Sequence, residues 1–258
     1  MFAVSVRKFI ACFAASLLAA TSAPALADGL GDDPLPRVQD RRCPGVIGLE
    51  TSMAEGLVGR IRANAESFGV PLADPASCEA NLVVAIVDDG QAWLADLVDR
   101  RGYLFRDMDR TDREELVATT GPVRVWNQVT VRTRDGLRVG RRENLTSLPQ
   151  AGMWSAHSRI YRPVRKDITY SLVLFDRAAV VNMTPAQLAD YASARAFSTV
   201  FPEDSAQPRP TILTLFDAAA AQPAGLTEHD RAWLGQLYRG IPNMPASMRL
   251  RSMNEPAG

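Results

Sequence analysis

The apolar positions of this chain change period several times, and each change marks an element. Phe9 to Ala20 is an almost unbroken apolar run. From Thr51 to Phe68, Met53, Leu57, Ile61 and Phe68 recur at helical spacing, and Gly69 and Pro71 close the segment. This predicts a helix with those four residues on its buried face. Asn81 to Val87 is a continuous, β-branched apolar run, the pattern of a central strand covered on both faces. Asp88-Asp89-Gly90 follows it, then a helix over 91–100. Carboxylates at the end of a buried strand can be catalytic or can cap the next helix. The cap is favoured, because an Asp oxygen accepts a free N–H of the first turn.

Further along, Asp107 to Glu115 mixes charge signs and reads as a solvated helical face. Val123 to Arg134 alternates: Val123, Val125, Val129 and Val131 point to the core, and Arg124, Trp126, Arg132 and Arg134 point away. Asp135-Gly136 predicts a hairpin turn, after which Leu137 and Val139 resume the alternation. A strand is expected over Ser155–Tyr161 and a second buried strand over Ile168–Phe175. Thr184, Pro185 and Gln187 form the opening of a helix, with a capping box and a proline where its missing N–H costs nothing. Leu188, Tyr191 and Ala192 share its inner face. Thr211–Phe216 is a short apolar element, and Thr227 with Asp230 caps a last helix.

The fold class expected from these elements is α+β, a mixed sheet with helices packed against it. Residues 1–27 carry a charged start at Arg7-Lys8, the apolar run, and Ala25-Leu26-Ala27, which is the layout of a signal peptide cleaved near Ala27-Asp28. The run is too short to span a bilayer, so no transmembrane anchor is expected. The expected location is periplasmic or secreted. Residues 28–44 read as a flexible leader, 45–242 as one α+β domain, and 243–258 as a loose tail. Two cysteines follow the signal, Cys43 and Cys78, and in an oxidising compartment such a pair is expected to close into a disulfide.

Composition adds one feature. Net charge is near zero, yet Arg124 to Lys166 holds ten basic residues against two acidic ones. Arg124, Arg132, Arg134, Arg138, Arg141 and Arg142 are therefore candidate anion-binding residues, with an anionic envelope component or an acidic protein as partner. Equally, these arginines can pair with the acidic remainder of the same protein. Nucleic acid is not expected in that compartment. No G-x-S-x-G, H-E-x-x-H, C-x-x-C, P-loop or dinucleotide-binding glycine motif is present. No metal site or cofactor is expected. If the chain is an enzyme, its weak candidates are Asp190, His157 and His229, the last two being the only histidines.

Several segments together resemble a family of exported bacterial proteins with a domain of unknown function. They are Cys78-Glu79-Ala80-Asn81 running into VVAIVDD, Gly121 to Trp126, Gln187 to Tyr191, TILTLF (211–216) and LTEHDRAWLGQLY (226–238). More distantly, the chain resembles zinc metallopeptidases of the metzincin type, in which an active-site helix is followed by a short segment and a closing helix. That likeness implies a degenerate, zincin-like fold. Ala189 and Ser193 would stand in place of the two zinc-binding histidines, Asp190 in place of the general-base glutamate, and Thr199 near the third ligand. Without imidazoles such a site holds no zinc. The reading favoured is a non-catalytic binding or envelope-associated protein. The alternatives are a hydrolase with an unrecognised site and a degenerate metallopeptidase-like scaffold.

Overall fold

The long strand β5 (Val164–Asp176) organises the sheet, because both of its edges are used. The computed structural model describes residues 33–106, 108–139, 161–201, 209–220 and 222–254. On one edge β5 pairs antiparallel with β4 (Val123–Thr133). On the other it pairs parallel with the two-residue β1 (Arg37–Val38) and then with β3 (Leu82–Val87), and β2 (Pro44–Ile47) runs parallel outside β3. The sheet is therefore mixed, as expected, with one antiparallel edge.

Both faces are covered, which explains the unbroken apolar run in β3. Leu82, Val84 and Ile86 point into the larger core with Ile168, Val173 and Phe175. Helices α1 (Thr51–Phe68), α5 (Pro185–Phe197) and α6 (Glu228–Tyr238) contribute to that core. Ala85, Leu172, Leu174 and Trp126 point the other way, against α2 (Gly90–Arg100), a 3-10 turn at Gly102–Phe105, and α3 (Arg110–Ala118). Two short helices remain, α4 (Arg177–Val180) and α7 (Ala246–Asn254). The caps follow the local sequence: Asp89 accepts from Ala92 N–H, and Thr184 and Thr227 each form a capping box. Gly69 closes α1 in the left-handed conformation.

Cys43 and Cys78 form the expected disulfide, with Cα atoms 6.0 Å apart. Closing a loop of 35 residues stabilises the fold by about 4 kcal/mol on chain-entropy grounds. Among the described residues no helix is long and apolar enough to cross a membrane.

Four expectations are corrected. Met53 is exposed, and Asn64 and Ala65 take its place on the buried side of α1. Residues 33–44 are no loose leader: Leu35, Arg37, Val38 and Arg42 are buried, and β1 joins the sheet. The described C-terminal residues, 243–254, are likewise attached, with Asn243, Ala246 and Arg249 buried and α7 formed. Both segments look polar because their arginines are held by backbone carbonyls rather than by water. In β4, Trp126 and Arg124 are buried, since a sheet with helices on both faces has no free side at that level. Val129 and Val131 are exposed instead, beyond a register shift at Gln128/Val129. TILTLF is a 3-10 turn (Ile212–Phe216). The strand expected at Ser155–Tyr161 lies outside the described residues except for Tyr161.

Candidate functional site

Asp190 lies fully buried in the middle of α5, which faces α1 across the larger core. Arg60 and Asn64 are one turn apart on α1, so both reach the same carboxylate. Arg60 Nε donates to Oδ1 at 2.8 Å and its Nη2 to Oδ2 at 2.9 Å. Asn64 Nδ2 donates to Oδ1 at 2.7 Å and Leu226 N–H to Oδ2 at 2.9 Å. Burial pushes the Asp190 carboxyl upward, but the bonds from Arg60, Asn64 and Leu226 hold it below its ordinary value. The approach is close: a Cβ on Gly225 would lie 2.5 Å from Oδ2. With two donors on each oxygen and no solvent access, this carboxylate ties α1, α5 and the start of α6 together and has no lone pair directed at a substrate. Ser193 is buried beside it, accepting from Asn64 and donating to Ala189 O.

His229 is half-buried in the first turn of α6, and no hydrogen bond joins it to Asp190. Its neighbour Asp230 is fully engaged, accepting from Thr211 Oγ1 at 2.6 Å, Ile212 N–H at 2.8 Å and Thr227 N–H at 2.9 Å. His157 lies outside the described residues. Among the described residues no three His, Cys, Asp or Glu side chains are grouped to hold a metal.

The arginines of the hairpin divide. Arg124 is removed from the candidate surface: it is buried and donates to Asp176 Oδ1 at 2.9 Å and Thr119 O at 3.1 Å. Arg132 is removed too. It grips Asp40 with both terminal nitrogens, at 2.9 and 2.7 Å, and lies 3.4 Å from Asp167. This hydrogen bonding lowers the Asp40 carboxyl below its ordinary value. Arg165 pairs with Asp167 at 3.0 Å. Arg134 and Arg138 remain: both are exposed, and no carboxylate among the described residues reaches them. They flank the tip at Gly136, whose φ of 91° suits glycine. Arg141 and Arg142 lie outside the described residues.

Sequence reasoning missed a second set of arginines altogether. Arg42 is fully buried and donates to Asn81 O, Thr169 O and Ile168 O. Arg249 donates to Gln236, Leu237, Arg239 and Ile241 carbonyls, and Arg37 to Leu237 O and Gly240 O. Arg249 and Arg37 thereby occupy the C-terminal end of α6, where free carbonyls favour a cation. Burial lowers Arg42 and Arg249 to about 10, so both stay charged at neutral pH. The available signal was the near absence of lysine: only Lys166 follows the signal segment. A guanidinium offers five donors in a fixed fork and can satisfy several carbonyls at once, which an ammonium does less well.

The chain matches no protein-family profile, no curated protein and no solved structure.

Proposed function

We propose that this is an exported, non-catalytic binding protein and that the end of the β4 hairpin is its contact surface for an anionic envelope component. The observation that carries the reading is the contrast among neighbouring arginines. Arg124, Arg132 and Arg165 are held by the protein's own carboxylates, while Arg134 and Arg138 stand exposed with no carboxylate among the described residues reaching them. A planar fork left open in this way suits phosphate or carboxylate oxygens. Export rests on the signal-like residues 1–27, and the closed Cys43–Cys78 pair fits an oxidising compartment. The hydrolase alternative loses its best carboxylate to the Arg60–Asn64 network. A degenerate metallopeptidase-like origin has one point in favour: α5, which carries Ala189 to Ser193, is followed by a short 3-10 turn and the helix α6.

Binding to heparin, a soluble polyanion, tests the reading. Wild-type protein should bind it and release it as salt rises. The double variant Arg134→Gln/Arg138→Gln should lose binding with an unchanged melting temperature. Equal binding by the variant, or no binding by the wild type, refutes the assignment.

A further inference from the structure

The same hairpin exposes apolar side chains beside its open arginines. Leu137 is 64% exposed at the tip, and Val131 and Val129 are 43% and 38% exposed along β4. Thr133 N–H donates to Leu137 O and Leu137 N–H bonds to Thr133 Oγ1, so Leu137 stands across from Thr133. Val131 and Val129 follow on the same face of the strand at steps of two residues, about 7 Å each. Arg132 and Arg138 are bridged across the ribbon and lie on the other face, with Arg134 next to the turn. Among the described residues, Asp135 is the carboxylate at the tip. A site for a small soluble anion has no use for three exposed aliphatic side chains. A polyanionic protein partner would want acceptors along the ribbon, not hydrocarbon at its end.

Resting on the binding role proposed above, we infer that the partner is the surface of an anionic lipid bilayer, which the hairpin enters tip first. Leu137, at the tip, goes into the acyl boundary, and Val131 and Val129, about 7 and 14 Å behind it along β4, lie against the headgroup region beside the arginines. Arg134 and Arg138 stay at headgroup depth, where their stems lie along apolar surface and their guanidinium groups meet lipid phosphates. Each arginine near an anionic surface contributes about fivefold in partitioning, and burying one leucine contributes roughly tenfold or more.

Sedimentation of the protein with vesicles rich in phosphatidylglycerol, against vesicles of phosphatidylcholine alone, reads this directly. Wild type should pellet with the anionic vesicles. Leu137→Gln should lower that partitioning about tenfold while leaving heparin binding unchanged, and Arg134→Gln/Arg138→Gln should lower both. In Leu137→Trp the indole emission should shift to the blue on adding anionic vesicles. Heparin binding without vesicle binding overturns the lipid assignment and leaves the anion-binding role standing. Binding to neither overturns both. Vesicle binding that Leu137→Gln does not weaken, or an indole that does not shift, shows that the tip does not insert and overturns the inference.

Discussion

Asp190 and Asp167 are both fully buried aspartates that face arginine, yet their surroundings differ atom by atom. Asp190 receives two donors on each oxygen and is held below its ordinary value. Asp167 receives Arg165 on Oδ2, with Arg132 3.4 Å from the same atom, and its Oδ1 has no partner. Burial raises the Asp167 carboxyl, and the nearby Arg165 and Arg132 do not bring it back. Burial and an arginine neighbour are thus common to both, and the number of donors per oxygen decides whether the charge is stabilised.

The largest expected effect comes from the disulfide, which ties Cys43, just after the segment carrying Arg37 and Asp40, to Cys78 ahead of β3. Cys43→Ala/Cys78→Ala should lower unfolding free energy by about 4 kcal/mol, read from the urea midpoint at neutral pH. Amide exchange should rise first over 37–42 and leave 60–65 protected. Equal loosening of both regions would mean that the two carboxylate sites are one cooperative unit.

Next in size is Asp190→Asn, which leaves Arg60 without its counterion and presents an amide where four donors converge. A loss of about 3 kcal/mol is expected, at the lower end for a buried pair because the Arg60 side chain is 42% exposed and water solvates it in the variant. A loss below 1 kcal/mol would show that the four bonds contribute little, and the contrast with Asp167 would fail.

The smallest effect is that of Asp167→Asn, expected to stay within about 1 kcal/mol of wild type, since relief of an under-bonded buried charge offsets the counterion that Arg165 loses, and Arg132 keeps Asp40. The pH profile separates the two sites more sharply. Asp167 is raised from 3.8, so its ionised form costs stability above its folded value, and protonation relieves that cost as pH falls toward 3.8. Asp190 is lowered from 3.8, so its contribution is present above 3.8 and is lost as pH falls through its depressed folded value. Urea midpoints between pH 7 and pH 3 should therefore show an acid-side gain that Asp167→Asn abolishes. The later fall should become shallower in Asp190→Asn. A profile unchanged by either substitution would remove the electrostatic distinction between them.

Period and end signals along the chain were enough for most of the elements. Helix α1 begins at Thr51 and ends at Phe68 because apolar spacing and Gly69 mark it locally. The same holds for β3, for the capping boxes at Thr184 and Thr227, and for the turn at Asp135-Gly136. The Cys43–Cys78 pair needed only a count of cysteines and a compartment. These features depend on neighbours within a few residues, or on there being no other partner to choose.

The fate of the arginines and of Asp190 was decided by tertiary structure. Arg124 and Arg134 are equivalent in the alternation of β4, yet one is buried on Asp176 and the other stands in solvent. Asp190 reads as a polar residue on a helix face until Arg60 and Asn64 of α1 and Leu226 ahead of α6 converge on it. Residues 33–44 read as a polar leader until carbonyls of β5 and α6 take up the Arg37 and Arg42 guanidinium groups. A buried charge is tolerated only where donors or acceptors from distant segments converge on it. That convergence is a property of three-dimensional packing, which no local pattern of residues encodes.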